Sequence, residues 1–268
     1  MKNVLTIAGS DSCGGAGIQA DLKTFAAHAV YGMSAITAVT AQNTQGVVAI
    51  QDISPEIIAK QIEAIFEDIR VDALKIGMVS VIDTIRTIAD RLKYYQAQNI
   101  VLDPVMISKS GFALLQPEAQ EALQEYLLPL ATIVTPNLPE AEALTGRTIS
   151  NLKEMREAAA RIAALGPSYV LVKGGHLESQ AVDILFDGNS YYEFEAPRCK
   201  TKNTHGTGCT LSASLAANLA KGMEVVKAVE ASKKYITTAI EHSLALGKGV
   251  GPTHHFYELY QKAGLLDE

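Results

Sequence analysis

Cysteine is scarce in this chain: three in 268 residues, at Cys13, Cys199 and Cys209. No two stand in a Cys-x-x-Cys pattern, and an odd number without metal spacing argues against both a disulfide framework and a zinc site. Each reads first as a small apolar filler, with Cys209 set aside because of its neighbours. No run of about 18 apolar residues occurs, so no transmembrane helix is expected. Basic residues do not dominate either: 23 Lys and Arg stand against 29 Asp and Glu, a formal charge of −6. Binding a phosphate backbone needs a basic surface, which sets a nucleic-acid partner aside. Repeats, low-complexity tracts and linker-like segments are missing, and residues 1–268 read as one domain. The opening residues, Met1 to Gly9, are punctuated too early for a signal peptide, which makes the cytoplasm the expected compartment.

Two nucleotide signatures are also missing. There is no Gly-x-x-x-x-Gly-Lys-Ser/Thr loop, and Gly14-Gly15-Ala16-Gly17 lacks the full Gly-x-Gly-x-x-Gly spacing. With no acidic ribose partner after the second long strand, a dinucleotide-dependent oxidoreductase is set aside.

What is present is an ordinary globular composition, 48% hydrophobic and 19% charged, enough for a sizeable core. Strand-length apolar runs at 3–8, 35–41, 73–76, 100–102, 132–134 and 169–172 are apolar on both faces, as a buried parallel sheet requires. Amphipathic helical stretches lie between them. The one at 55–70 opens with a Ser54 cap and a proline in the first turn and carries Ile57, Ile58, Ile62, Ile65, Phe66 and Ile69 on one face. Others span 83–96, 117–126, 152–165 and 223–246. The alternation predicts an α/β doubly wound sheet. An extra strand at 47–53 and a hairpin at 181–186 and 191–194, turning at Asp187-Gly188-Asn189-Ser190, break the pattern.

Ligands of such sheets bind beyond the carboxyl ends of the strands. The predicted exits deliver residues 9–17 with Gln19 and Asp21; Gln42 and Asn43; Lys75 with Gly77 and Met78; Asp103 to Met106; Thr135, Pro136 and Asn137 with Glu140; and Lys173 to His176. Gly14 to Gly17 fits either a strand-to-helix turn needing positive φ or a backbone pressed against a small flat substrate. His205-Gly206-Thr207-Gly208-Cys209-Thr210 precedes a small-residue helix at 210–220. Gly206, Thr207, Gly208 and Cys209 would then present unpaired amides and the positive end of the dipole to an anion, which phosphoryl transfer requires. A tightly packed loop–helix junction is the other reading. Asp103 and Glu140 supply oxygens for a hydrated Mg²⁺, although a first-turn glutamate also simply complements its helix. Lys173, after an apolar run, could neutralise nucleotide phosphates. His28, His242, His254 and His255 have no metal spacing and read as surface or packing residues.

With these residues in place, the chain resembles the ribokinase superfamily, and within it the hydroxymethylpyrimidine/phosphomethylpyrimidine kinases of thiamine biosynthesis. The matching segments are LTIAGSDSCGGAGIQAD at 5–21, AQNTQG at 41–46, KIGM at 75–78, DPVMISKSG at 103–111, TPNLPE at 135–140, KGGH at 173–176, TKNTHGTGCTLS at 201–212 and GKGVGPTHHF at 247–256. The resemblance implies a ribokinase-like three-layer α/β/α sandwich, ATP and Mg²⁺, a homodimer, and two successive phosphorylations of a small-molecule substrate. It implies that Gln42 reads the aminopyrimidine edge, as an amide with donor and acceptor can, and that Gly9, Asp21, Met78 and Val105 wall the same pocket. Asp103, Asn137, Glu140 and Lys173 fall on the nucleotide and metal side. Cys209 stands where the wider superfamily usually carries an aspartate base. A thiol at a helix N-terminus can have a lowered pKa, so Cys209 is expected to be the base. A pyridoxal kinase is the alternative enzyme, because both substrates present a hydroxymethyl group on a flat ring. A non-catalytic binder is disfavoured by the presence of Asp103, Lys173 and the 206–208 loop.

Overall fold

The computed structural model describes residues 1–106, 114–175 and 181–266, so Ile107 to Gly111 of the 103–111 motif and His176 lie outside the described residues. Nine strands are β1 (Asn3–Asp11), β2 (Tyr31–Asn43), β3 (Gly46–Asp52), β4 (Ala73–Ile76), β5 (Ile100–Leu102), β6 (Ile133–Val134), β7 (Tyr169–Val172), β8 (Ala181–Phe186) and β9 (Tyr191–Ala196). They form a single sheet in the order β3-β2-β1-β4-β5-β6-β7-β8-β9. The six from β2 to β7 pair in parallel, and β3, β8 and β9 add antiparallel edges. The expected α/β fold is the one observed.

Successive strand residues point to opposite faces, and the two faces carry different cores. Leu5 and Ile7 of β1 with Leu74 and Ile76 of β4 pack with Ile58 and Ile62 of α2 (Pro55–Asp68) and Ile85 and Ile88 of α3 (Ile82–Tyr94). On the other face Val4, Ala73, Val101, Ile133 and Leu171 meet Phe25 of α1 (Gly17–Ala27), Leu211 and Leu215 of α7 (Thr207–Ala220) and Val229 of α8 (Val225–Glu241). Each such side chain, fully withdrawn from water, contributes on the order of 1.5–3 kcal/mol of transfer free energy. The remaining helices are α4 (Pro117–Ala122), α5 (Leu138–Thr145), α6 (Leu152–Ala163) and α9 (Tyr257–Ala263). Among the described residues no helix is long and apolar enough to cross a membrane.

Local chemistry sets the helix starts. Ser54 accepts a hydrogen bond from the Ile57 amide, and Pro55 opens α2, as its sequence predicts. Gly17 opens α1 at a φ of 55°, where a Cβ would come within 2.3 Å of the Gly9 carbonyl oxygen. The helix expected at 117–126 does not run through: after α4 it widens into a π turn at Leu123–Leu127 and tightens to a 3₁₀ turn at Leu128–Leu130. Pro129 has no N–H to continue the ladder.

Candidate active site

The N-terminus of α7 faces the carboxyl ends of β5, β6 and β7. Gly206 caps it at a φ of 78°, and a Cβ there would sit 1.7 Å from the Gly15 carbonyl oxygen. Only glycine satisfies both the left-handed backbone and that approach. From Thr210 to Ala220 the helix is buried throughout, whereas Gly206, Thr207, Gly208 and Cys209 are only half-buried. The positive end of the helix therefore opens where the rest is sealed, as an anion site needs.

Gly208 brings the strand ends to this terminus. A Cβ on it would lie 3.4 Å from Asp103 Oδ2 and 3.5 Å from Lys173 Nζ. Lys173 Nζ donates to Asp103 Oδ1 at 3.0 Å, Thr135 Oγ1 to the same oxygen at 3.2 Å, and Ser212 Oγ to Oδ2 at 3.4 Å. Burial works against the Asp103 charge, but Lys173 and Lys75 hold the carboxyl below the usual carboxylate range. Lys173 is likewise opposed by burial and held above the usual lysine value by Asp103 and Glu140. Asn137 and Glu140 form a reciprocal capping box at the start of α5, with the Asn137 amide 2.8 Å from Glu140 Oε2 and the Glu140 amide 2.9 Å from Asn137 Oδ1. The helix-complementing role of Glu140 is thus present. Burial pushes its carboxyl up to about 7, against the pull of Lys173 and with the push of Asp103. Two carboxylates beside one lysine are a donor set that suits a hydrated Mg²⁺, and a cation would relieve the burial of Glu140.

The residues expected to wall the substrate pocket lie at the ends of β1, β2, β4 and β5. Met78 lies beside Gly9, where a Cβ would come within 3.1 Å of Met78 Cε. Val105 is half-buried just past β5, its amide bonded to the Asp103 carbonyl oxygen. Gln42, at the end of β2, accepts from Thr40 Oγ1 at 3.2 Å and has its amide nitrogen 3.4 Å from His205 Nε2. Asp21, expected in the pocket wall, is sealed from solvent. Its side chain is 0% exposed and receives Lys75 Nζ at 2.9 and 3.1 Å and Thr6 Oγ1 at 2.6 Å. Cys209 differs from expectation as well. Burial pushes its thiol up to about 11, although Lys75 and the Gly17 amide pull the other way. Desolvation outweighs the helix terminus, so the unliganded thiol keeps its proton at neutral pH.

The family described as phosphomethylpyrimidine kinase matches residues 11–254. The chain belongs to the phosphomethylpyrimidine kinase family. A curated relative, the hydroxymethylpyrimidine/phosphomethylpyrimidine kinase of Rhizobium meliloti, is 54% identical over 261 residues, covering 96% of this chain and 98% of that one. A solved phosphomethylpyrimidine kinase from Clostridium difficile 630 is 54% identical, with a TM-score of 0.81 over 90% of this chain and 100% of that one. An ADP complex of Bacillus subtilis pyridoxal kinase is 46% identical, with a TM-score of 0.90 over 96% and 98%. The chain is a kinase, a phosphotransferase of this family.

In this kinase, Lys75, His205 and Asp11 carry no role that local sequence assigns. Lys75 interrupts the apolar run of β4 as Lys173 directly follows that of β7, which is the available signal, yet its partner Asp21 stands 54 residues away and is brought to it only by the β1–β4 pairing. His205 and Asp11 form a buried pair at 2.8 Å, and 194 residues separate them. Cys13, expected as an apolar filler, is exposed beside them. The histidines read as packing residues include His255, which is buried with Nε2 3.1 Å from Thr210 Oγ1.

Proposed function

We propose that this kinase transfers the γ-phosphoryl group of ATP to the hydroxymethyl oxygen of 4-amino-5-hydroxymethyl-2-methylpyrimidine, and then phosphorylates the monophosphate to the diphosphate. The observation that carries the reading is Gly208, the second residue of α7, lying against the Asp103–Lys173 pair. It puts the amides of a helix terminus and a lysine charge on one small volume, where equatorial phosphoryl oxygens would be stabilised as charge develops.

In this scheme Lys173 binds the nucleotide phosphates and Asn137 helps shape their side of the cleft. Asp103 and Glu140 would hold the Mg²⁺, which when bound neutralises charge on the transferring group. Gln42 orients the aminopyrimidine through its amide, with Gly9, Met78 and Val105 forming the wall beneath the ring. Asp21 acts indirectly, by keeping Lys75 charged under Cys209. Cys209 acts as the base in its thiolate form: the thiol first gives its proton to solvent, the Lys75 charge favouring the thiolate against its burial, and the thiolate then takes the hydroxyl proton as the phosphoryl group arrives. The protein is further read as one domain, working as a homodimer in the cytoplasm; light scattering tests the dimer.

One observation favours a second reading. The solved neighbour with a TM-score of 0.90 is called a pyridoxal kinase, and the phosphate-handling residues serve either flat alcohol. Measuring kcat/KM for hydroxymethylpyrimidine and for pyridoxal with one preparation separates the two. A higher value for the pyrimidine is expected, and a higher value for pyridoxal would reverse the assignment.

A further inference from the structure

The spacing of the cysteines argued against a metal site, but spacing is blind to what the fold brings together. Asp11 ends β1, Cys13 follows in the loop before α1, and His205 lies ahead of α7. Cys13 Sγ is 3.4 Å from Asp11 Oδ2 and 3.6 Å from His205 Nε2, and His205 Nε2 is 2.8 Å from Asp11 Oδ2. One sulfur, one imidazole nitrogen and one carboxylate oxygen thus converge within 4.8 Å of one another.

We propose that Asp11, Cys13 and His205 form a binding site for one divalent transition-metal cation of the zinc type, separate from any magnesium held at Asp103 and Glu140. A tetrahedral zinc ion sits about 2.3 Å from sulfur and about 2.0–2.2 Å from imidazole nitrogen and carboxylate oxygen, so its ligand atoms are spaced roughly 3.5 Å (S–N), 3.5 Å (S–O) and 3.3 Å (N–O) apart. Two of the three edges are already in place in this chain, at 3.6 and 3.4 Å. The third, at 2.8 Å, is a hydrogen bond that opens by about half an ångström when an ion replaces the proton between its atoms.

The surroundings resemble those of a metal ligand set. Asp11 is fixed by amides of the following loop: Cys13 to Oδ1 at 2.9 Å, and Gly15 and Ala16 to Oδ2 at 3.1 and 2.8 Å. Such partners hold a ligating carboxylate in orientation. Asp11 and His205 are buried while Cys13 reaches solvent, which leaves an entry path. Three protein ligands leave a fourth position for water. Thiolate and imidazole select zinc-like ions over magnesium, which prefers oxygen. On binding, the Cys13 thiol gives its proton to solvent, and the ring proton displaced from His205 Nε2 moves to Nδ1, so one proton leaves for each ion bound. The bound ion would tie the loop before α1 to the loop before α7.

Cobalt(II) serves as the probe. Titrating the full-length protein should saturate at one equivalent, with a thiolate-to-cobalt charge-transfer band in the near ultraviolet. The band should vanish in C13S, with affinity weakened at least about tenfold, and persist in C209S. It should also survive an excess of Mg²⁺. Calorimetry of Zn²⁺ binding to the unaltered protein, in two buffers of different ionisation enthalpy, should show release of about one proton per ion. No saturable uptake, no proton release, or a band that survives C13S and disappears in C209S would overturn the site.

Discussion

Lys173 Nζ lies 3.0 Å from Asp103 Oδ1 and joins the ends of two parallel strands whose residues stand 70 apart in sequence. Neither group is exposed enough for water to stand in for the other, with 15% and 3% of the side-chain surfaces accessible. Removing one partner of a buried pair costs about 3–5 kcal/mol because the other charge is left uncompensated. K173M should therefore lower the stability measured by denaturant unfolding by about 3 kcal/mol and raise KM for ATP. A variant with unchanged stability and unchanged KM would show that the pair matters neither to the fold nor to the nucleotide.

Lys75 and Asp21, both at 0% side-chain exposure, should behave as a coupled unit. K75M alone is expected to cost roughly 3–5 kcal/mol, and the double change K75M/D21N distinctly less, since the buried carboxylate is then gone. A double-mutant cycle by chemical denaturation checks this, and additive losses would contradict it.

Gly206→Ala forces a side chain into a backbone φ of 78° and onto the Gly15 carbonyl. Disturbing the first turn of α7 should lower kcat by about 10²–10³, the loss typical of removing one oxyanion donor. A steady-state assay reads it, and near-normal turnover would detach this loop from the chemistry.

Glu140 gives a pH dependence of definite sign. Burial raises its folded pKa from 4.5 to about 7, so the folded state binds the proton more tightly than the unfolded one. Its stabilising contribution is fully present below about 4.5 and is lost as pH rises to about 7. Wild-type stability should therefore fall relative to E140Q across that window, by up to about 3 kcal/mol. Parallel stability–pH curves for the two proteins would contradict the assignment.

The sheet and the helices with intact caps could be read from the chain because their signals are local: apolar runs for the strands, Ser54 and Pro55 for α2. Asp103, Lys173 and the 206–209 loop could be found because parallel strands deliver their exits to one edge. The pairings behind the site could not. Asp21 looks like a pocket residue until β4 places Lys75 beside it. Cys209 looks like an activated thiol until burial is set against the helix terminus. Asp11 and His205 are 194 residues apart, and no local pattern links them. In each case the deciding quantity is desolvation or a long-range contact, which sequence spacing does not carry.

The proposed activity is two successive phosphoryl transfers to one pyrimidine alcohol. Counting ADP released per hydroxymethylpyrimidine consumed, with ATP and Mg²⁺ in excess, tests it most directly. About two ADP per substrate are predicted, one for each transfer from ATP, with turnover but not substrate affinity collapsing in C209A. No ADP release with the pyrimidine would contradict the account.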